Sequence, residues 1–377
     1  MQFTRPLIVI LLFLGFLPTS FTRAQTLQPG FDAGEYREAL TITFSQGDTT
    51  RSYRTPEVRG YTLAFRSPVV GLANRWDLWT RADGQLAVIS VRGTVANTAS
   101  WVANFYSAMS PAQGSLQLND STTFHYQLAA GKEAAIHTGW LISLGHLAPT
   151  IEEQIKDQYA KGVRQFLLVG HSQGGAITFL LRSYLHYQVQ KGALPADITF
   201  KTYSSAAPKP GNTAYVYDYD FITRGGWAFN VVNAADWVPE SPISIQQLID
   251  MNQTNPFSNV GSTLGKQSFF VRLYAKNMFN KLRKSTSNAQ DRYEKYLGDR
   301  VYKLARKTLP QLREPTYAQS MNYMRAGTPI VLVPDSAYQK RFASSEKNQN
   351  NVWYHHSYNA YVALLNAWYG NGSTVQK

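Results

Sequence analysis

The chain has 377 residues, of which 44% are hydrophobic, and this length is ample for one large domain with a buried core. It contains no cysteine, so disulfides and a lipid-attached cysteine are excluded. Its formal net charge is +13, but thirteen Lys or Arg against three acidic residues fall within residues 266–313; without a nucleic-acid-binding motif, this local excess argues against nucleic-acid binding.

The first 24 residues have the composition of a signal peptide. Arg5 precedes an apolar run over residues 7–17, and the small residue Ala24 closes the segment. A run of eleven residues is too short to span a bilayer, which takes about 20. We therefore expect export to the periplasm or the medium, with residues 25–377 forming a single α/β domain.

Short segments that alternate or run apolar predict strands at residues 41–44, 61–65, 76–79 and 86–91. Thr150 opens a capping-box pattern, Thr-Ile-Glu-Glu, which predicts the start of a helix that ends near Gly162. This alternation of strands and helices is typical of an α/β fold with a mostly parallel sheet.

The segment around Ser172 carries the strongest functional signal. An apolar run over residues 165–169 predicts a strand, and residues 173–181 predict a helix. Gly170 and Gly174 leave room for a strained turn that exposes the Ser172 hydroxyl, the arrangement called a nucleophile elbow. The backbone amide of Gln173 would begin the helix, where unpaired N–H groups stabilise an oxyanion.

A nucleophilic serine needs a base and an acid, expected in the order serine, acid, histidine. Of the seven histidines only His355 and His356 follow the region where the acid could lie, and both remain candidates. Asp236 lies just after a predicted buried strand at residues 227–233, where α/β sheets place working groups. The rival acids Asp218 and Asp220 lie in a tyrosine-rich segment that we expect to be a solvated excursion.

These residues together give the chain a resemblance to the class 3 lipase family, the fungal-lipase-like branch of the α/β-hydrolases. The matching motifs are Arg-Gly-Thr at 92–94, His-Thr-Gly-Trp at 137–140, Ala-Pro-Lys-Pro-Gly-Asn at 207–212, the Asn-to-Pro loop at 233–239, and His356 followed five residues later by Tyr361.

The resemblance implies an α/β-hydrolase fold and roles for individual residues. It marks Asp236 as the triad acid and His356 as the base, with His355 as the fallback, and it makes Thr94 the second oxyanion-hole residue beside the Gln173 amide. Many family members have leucine where this chain has Gln173, so the polarity beside the reacting carbonyl is expected to differ.

The segment before the candidate histidines is long, and we interpret residues 245–320 as a basic helical insertion. Its mixed apolar and basic residues over 266–313 make it a candidate surface for anionic lipid, the alternative being a solvated helical insertion whose aromatic residues pack inward. Residues 100–109 are a candidate lid, or else a core-packed helix.

Together these patterns predict a serine-dependent lipase acting on acylglycerols or other lipid esters. The alternatives are an esterase or phospholipase of the same fold, and a non-catalytic lipid-binding surface protein. No cofactor is expected, and the absence of cysteine and of a His-Glu-x-x-His motif argues against a metal site. The sequence does not indicate an oligomeric state.

Overall fold

A computed structural model describes residues 27–46, 57–252, 254–255, 268–343 and 351–370. The predicted signal peptide, residues 1–24, lies outside the described residues. Among the helices of the described part, none combines the length and the apolar character that crossing a membrane would require.

The described residues form helices and strands that alternate through much of the chain. The helices are α1 (Ala33–Ser45), α2 (Thr98–Phe105), α3 (Thr138–Ala160), α4 (Gln173–Gln190), α5 (Thr213–Ile222), α6 (Phe269–Glu294), α7 (Arg300–Thr308), α8 (Ser336–Ala343) and α9 (Tyr358–Tyr369). The strands are β1 (Tyr61–Arg66), β2 (Trp76–Arg81), β3 (Leu86–Val91), β4 (Met109–Pro111), β5 (Gln113–Asn119), β6 (Thr122–Gln127), β7 (Ala135–His137), β8 (Gln165–His171), β9 (Thr199–Ser205), β10 (Ala228–Asn233) and β11 (Thr328–Leu332).

Seven strands form the central sheet, in the order β1-β2-β3-β8-β9-β10-β11. The strands from β3 to β11 are parallel to one another, and β1 and β2 add antiparallel pairs at one edge. Two small two-stranded sheets, β4-β7 and β5-β6, complete the strand pairing. The predicted α/β-hydrolase fold with a mostly parallel sheet is thereby confirmed.

Helices cover both faces of this sheet, and the strand side chains alternate between two cores. Leu168 packs with the core that includes α3 and α4, whereas its neighbours Leu167 and Val169 pack with α1 and α9 on the other face. Strands buried on both faces read as continuous apolar runs, which is why β3 and β8 stand out in the sequence.

The parallel arrangement sets the position of the candidate functional residues. Thr94 follows β3, Ser172 follows β8 and Asp236 follows β10. Since carboxyl ends of parallel strands lie at one edge of a sheet, three segments far apart in the chain meet at that edge.

The prediction of a strand at residues 41–44 is wrong, because these residues belong to α1. Their apolar side chains fit a short alternating pattern, but Tyr36, Leu40 and Thr43 are buried at helical spacing. Asp32 caps the helix by accepting a hydrogen bond from the Glu35 backbone N–H.

Two other sequence expectations also need correction. The helix expected to start at Thr150 begins at Thr138, where the His137 side chain accepts from the Trp140 backbone N–H. The tyrosine-rich segment expected to be solvated is α5, whose Tyr215 and Tyr219 are fully buried. Asp220 is exposed and accepts from the Gly327 backbone N–H, while Asp218 accepts from the Tyr187 hydroxyl.

The long segment after β10 contains α6, a π-helical turn (Lys295–Asp299) and α7. The Tyr293 hydroxyl and Ser107 Oγ are 3.0 Å apart, and the Ala108 N–H donates to the Leu297 carbonyl. These contacts attach the carboxyl end of α6 to the residues that follow α2. The division into one domain with an insertion at 245–320 stays a prediction.

An ion pair joins α1 to the sheet through a buried lysine. Lys201 on β9 is 1% exposed, and its Nζ lies 2.6 Å from Glu35 Oε1. We expect Lys201→Ala to lower the free energy of unfolding by about 3 kcal/mol, because the partly buried carboxylate loses its cation. Chemical denaturation measures the change.

The exposed ion pair between Arg81 and Asp83 provides a control. Arg81→Ala should change stability by less than about 1 kcal/mol. The double variant Lys201→Met with Glu35→Gln should recover part of the loss, since it leaves no unpaired charge. An equal loss in the single and double variants would contradict the expectation.

Candidate active site

The elbow at Ser172 has the strained geometry that a nucleophile elbow requires. Ser172 has φ 60° and ψ −131°, a conformation that is costly for a residue with a side chain. A Cβ on Gly170 would lie 2.3 Å from the Gly174 backbone, and one on Gly174 would lie 2.2 Å from the Val91 carbonyl oxygen. Larger residues at either position would therefore collide with the backbone.

Asp236 and His356 form a hydrogen-bonded acid–base pair. His356 Nδ1 lies 2.7 Å from Asp236 Oδ2, which also accepts from the Tyr361 hydroxyl at 2.8 Å, while Oδ1 accepts from the Val238 N–H. Burial alone would raise the pKa of Asp236, but the hydrogen bond and electrostatic interaction with His356, together with the donors Val238 and Tyr361, hold that pKa below its ordinary value.

This bond fixes the tautomer of His356. Because an ionised Asp236 can only accept, Nδ1 of His356 carries a proton, and in the neutral form of the ring Nε2 then presents a lone pair. His356 Nε2 is buried and has no hydrogen-bond partner among the described residues. The ring is therefore ready to accept a proton at Nε2.

His171, beside the serine, holds the backbone of His356. Its Nε2 lies 2.9 Å from the His356 carbonyl oxygen, and its Nδ1 lies 3.0 Å from Ser205 Oγ. Burial, reinforced by the nearby His356 ring, lowers the pKa of His171 to about 3. His171 is therefore neutral and donates from Nε2 to that carbonyl.

His355, the fallback base, points elsewhere. Its Nδ1 is 2.8 Å from the Tyr338 hydroxyl, and its carbonyl accepts from Asn233 Nδ2. Burial lowers the pKa of His355. Of the two adjacent histidines, only His356 contacts Asp236 through its side chain and lines the cavity at Ser172.

The candidate oxyanion residues Thr94 and Gln173 lie beside Ser172 on the same cavity. Gln173 is the first residue of α4, and its side chain donates to the Ser100 carbonyl and to Asn104 Oδ1. Asn104 Nδ2 donates to Thr94 Oγ1 at 3.0 Å. The side chain of Gln173 is thus linked to Thr94 through α2.

A cavity of about 1290 Å³ lies over the elbow. Ser172 and His356 both line it, although no hydrogen bond between them occurs among the described contacts. Proton transfer would require the two side chains to come within hydrogen-bond distance, as catalytic groups often do once substrate is bound. The apolar part of its wall includes Trp101, Phe105, Trp237, Ile243 and Leu297.

Three tryptophans connect the candidate lid to the acid and base loops. Trp101 of α2 lies 5.7 Å, centroid to centroid, from Trp353, which lies 5.0 Å from Trp237 and 5.8 Å from His356. Trp237 donates from Nε1 to the Val352 carbonyl.

Within the described ranges, His, Asp and Glu side chains form no group of three or more that could hold a metal ion.

Several contacts of the site were not predicted from the sequence. In the sequence Tyr361 served only to select His356, whereas in the structure its hydroxyl donates to Asp236, the candidate acid. Chain order excluded His171 as a candidate base, and in the structure its side chain contacts the backbone carbonyl of His356, the candidate base. Asn104 lay within the candidate lid, and its role depends on contacts between separate helices.

Residues 88–245 match the family described as Lipase (class 3). The chain is 27% identical over 191 residues to the secreted mono- and diacylglycerol lipase 1 of Fusarium solani, covering 50% of this chain and 49% of that protein. It is 33% identical over 119 residues to the secreted mono- and diacylglycerol lipase 3 of Gibberella zeae, covering 32% of this chain and 34% of that protein. The chain spans half or less of the length of these curated relatives.

Solved structures similar to the chain include a triacylglycerol lipase from Penicillium expansum, with 19% identity, a TM-score of 0.40, and coverage of 56% of this chain and 76% of that one. A Rhizomucor miehei lipase propeptide complex has 17% identity and a TM-score of 0.40, and covers 55% of this chain and 62% of that one.

The contact between Tyr361 and Asp236 predicts a pH-dependent change in stability. The pKa of Asp236 lies below its ordinary value, so its interactions stabilise the fold above the ordinary carboxyl pKa and lose their effect as the pH falls through the folded-state pKa. Tyr361→Phe should lower the free energy of unfolding by about 2 kcal/mol at neutral pH. The difference from the unaltered protein should shrink at acidic pH, as the pH falls through the folded-state pKa and Asp236 becomes protonated.

Tyr358→Phe on the same helix is the matched control for urea denaturation at both pH values. Its hydroxyl lies 3.0 Å from Thr41 Oγ1, a neutral partner, so its effect should not change with pH. A loss for Tyr361→Phe that stays constant over this pH range would contradict the assignment.

Proposed function

We propose that the chain, whose residues 88–245 match the class 3 lipase family, is a serine-dependent carboxylic ester hydrolase acting on acylglycerols or other lipid esters. The observation that carries the proposal is the strained elbow at Ser172 on the cavity that His356 also lines, with His356 held by Asp236. The names of the fungal relatives, which include mono- and diacylglycerol lipases, support this substrate class.

In the proposed reaction, His356 Nε2 takes the proton of Ser172 Oγ as that oxygen attacks the ester carbonyl carbon. Asp236 keeps the imidazole in its tautomer and stabilises the imidazolium. The Gln173 amide and Thr94 hold the tetrahedral oxyanion. His356 then gives its proton to the departing alcohol, which leaves an acyl group on Ser172 Oγ. Water, activated by His356, attacks this acyl-enzyme in the same way, which releases the carboxylic acid product and restores Ser172.

The cavity favours an apolar substrate portion. Trp101, Phe105 and Trp237 give it an aromatic wall that suits an acyl chain. Arg92 and Arg341 also line the cavity, so an acyl ester of a phospholipid is the second candidate substrate. A soluble acyl ester is the third.

We also propose that the protein is exported across a membrane. The predicted signal peptide and the word "secreted" in the names of both curated relatives support release across a membrane. The periplasm and the medium are both compatible with these observations.

Activity assays test the proposal directly. The mature chain should hydrolyse members of a panel of triacylglycerol, diacylglycerol, phospholipid and short-chain esters, and a fluorophosphonate should label Ser172. Ser172→Ala and His356→Ala should each lower kcat by about 10⁴-fold or more, because the nucleophile or its base is lost. His355→Gln is the matched control and should stay within about tenfold of the unaltered protein.

Each alternative has a distinct result. Loss of activity in His355→Gln but not in His356→Ala would make His355 the base. Absence of both hydrolysis and labelling in the folded chain would support a non-catalytic lipid-binding protein. A preference for phospholipid that disappears in Arg341→Gln would favour the second candidate substrate.

We further propose that α6 binds an anionic lipid surface. Phe270, Tyr274, Met278 and Leu282 recur every four residues on this helix and are between 48% and 79% exposed. We call these four residues the α6 stripe. Arg272, Lys276 and Lys281 on the same helix are exposed cations.

The position of α6 connects this surface to the cavity. Tyr293 near the end of α6 and Leu297 just beyond it both line the cavity wall. A lipid surface bound by the α6 stripe would therefore lie on the element that forms one wall of the site. Exposed aromatic residues with neighbouring cations are typical of helices that lie in a membrane interface.

Changing all four residues of the α6 stripe to serine should lower binding to phosphatidylcholine/phosphatidylglycerol vesicles at least tenfold, because about 0.8 kcal/mol is lost per CH₂ no longer buried in lipid. Changing Arg272, Lys276 and Lys281 to glutamine should remove the preference for anionic over neutral vesicles. Vesicle sedimentation measures both changes.

Tyr217→Ser with Phe221→Ser on α5 is the control for general loss of exposed apolar area. It should leave vesicle binding unchanged. Hydrolysis of a soluble short-chain ester should be unchanged in all three variants. Equal vesicle binding by the stripe variant and the unaltered chain would contradict the proposal.

A further inference from the structure

A hydrogen-bond network of side chains connects the start of α4 with Thr94. Asn104, near the end of α2, lies at its centre. Its Oδ1 accepts from Gln173 Nε2 at 2.8 Å and from Trp140 Nε1 at 3.3 Å, and its Nδ2 donates to Thr94 Oγ1 at 3.0 Å. Its backbone carbonyl lies 3.1 Å from His137 Nε2.

The orientation of the Gln173 amide follows from its partners. The Gln173 side chain is 2.9 Å from the backbone carbonyl of Ser100, which can only accept, so the NH₂ group must face it. The other proton of this NH₂ group points to Asn104. Gln173 Oε1 accepts from the Ser100 hydroxyl, which in turn accepts from the Val95 N–H.

The orientation of the Asn104 amide follows in turn. Both Gln173 Nε2 and the indole N–H of Trp140 can only donate, so the Asn104 atom that meets them must be the oxygen. The NH₂ group of Asn104 therefore faces Thr94. A flipped amide would place three donors together.

This orientation determines how the Thr94 hydroxyl is used. Because Asn104 donates to Thr94 Oγ1, a lone pair of that oxygen is occupied and its own proton remains to be donated. Among the described residues, Thr94 Oγ1 has a hydrogen bond only as an acceptor, and Thr94 lines the cavity at Ser172.

We infer that Gln173 and Asn104 are positioning residues that set the direction of hydrogen bonding at Thr94, so that its hydroxyl donates to the reaction oxyanion. The inference rests on the proposed ester hydrolysis and adds a function for the side chain of Gln173, whose backbone amide is the other proposed donor. Leucine at position 173, as in many family members, could not donate to Asn104.

The test is a set of variants assayed for kcat and KM on a soluble short-chain ester. Thr94→Val should lower kcat about 100-fold by removing a donor to the oxyanion, with KM within about threefold, and Thr94→Ser should retain most of the activity. Asn104→Asp should lower kcat to a similar extent, because the Thr94 hydroxyl would then donate to the carboxylate. Gln173→Leu should lower kcat by a smaller factor, since it frees the Asn104 amide to turn.

A double-mutant cycle separates positioning from general structural damage. The double variant Thr94→Val with Asn104→Asp should have a kcat no lower than that of the slower single variant. In Asn104→Asp the Thr94 hydroxyl no longer donates to the oxyanion, so its removal by Thr94→Val should cause no additional loss. Asn97→Ala is the control on α2, since Asn97 caps this helix without contacting the network. It should lower the Tm while leaving kcat within about threefold.

Additive losses in the cycle, or an Asn104→Asp variant with unaltered kcat, would overturn the inference. If Asn104→Asp does not fold, the same cycle with Gln173→Leu gives the answer. Failure of the unaltered chain to hydrolyse any ester would overturn the proposed function itself, whereas an active chain with an additive cycle would overturn only the network's role.

Discussion

The site depends on a steric constraint where β3, β8 and α4 meet. The backbone at Gly170 and Gly174 approaches so closely that a Cβ on either would lie within 2.3 Å of neighbouring backbone atoms. A Cβ on Gly93 would lie 2.9 Å from the His171 carbonyl oxygen. At this contact Ser172 has a positive φ of 60°, and Gly93, which precedes Thr94, packs against the elbow. The candidate nucleophile Ser172 and the candidate oxyanion residues therefore lie at one packing contact.

The sequence predicted those parts of the molecule that are specified locally. Gly170 and Gly174 flank Ser172 at fixed spacing, and buried strands such as β3 and β8 carry apolar residues on both faces, so both are readable from short segments. The secondary-structure predictions failed where a helix with one buried face has a sequence that resembles a strand or a solvated loop. Residues 41–44 alternate like a strand although they belong to α1. The tyrosines of α5 made that segment look solvated, although Tyr215 and Tyr219 are buried in a helix.

The remaining part of the site arises from contacts between elements, which no spacing rule describes. Asp236 could be identified from its place after a strand, but the function of Tyr361 required the packing of α9 against β10. The orientation of Asn104 depends on donors from α3 and α4, and His171 meets His356 across 185 residues of chain. Such hydrogen bonds become visible only when the tertiary structure is known.

A line of hydrogen bonds joins the first described helix to the segment before the last one. The Tyr36 hydroxyl meets Ser205 Oγ at 2.7 Å, Ser205 meets His171, and His171 holds the His356 carbonyl. In a chain synthesised from its amino terminus, the elbow residues are made well before His356, the proposed proton acceptor. The proposed ester hydrolase would therefore stay inert until the segment that carries His356 has docked.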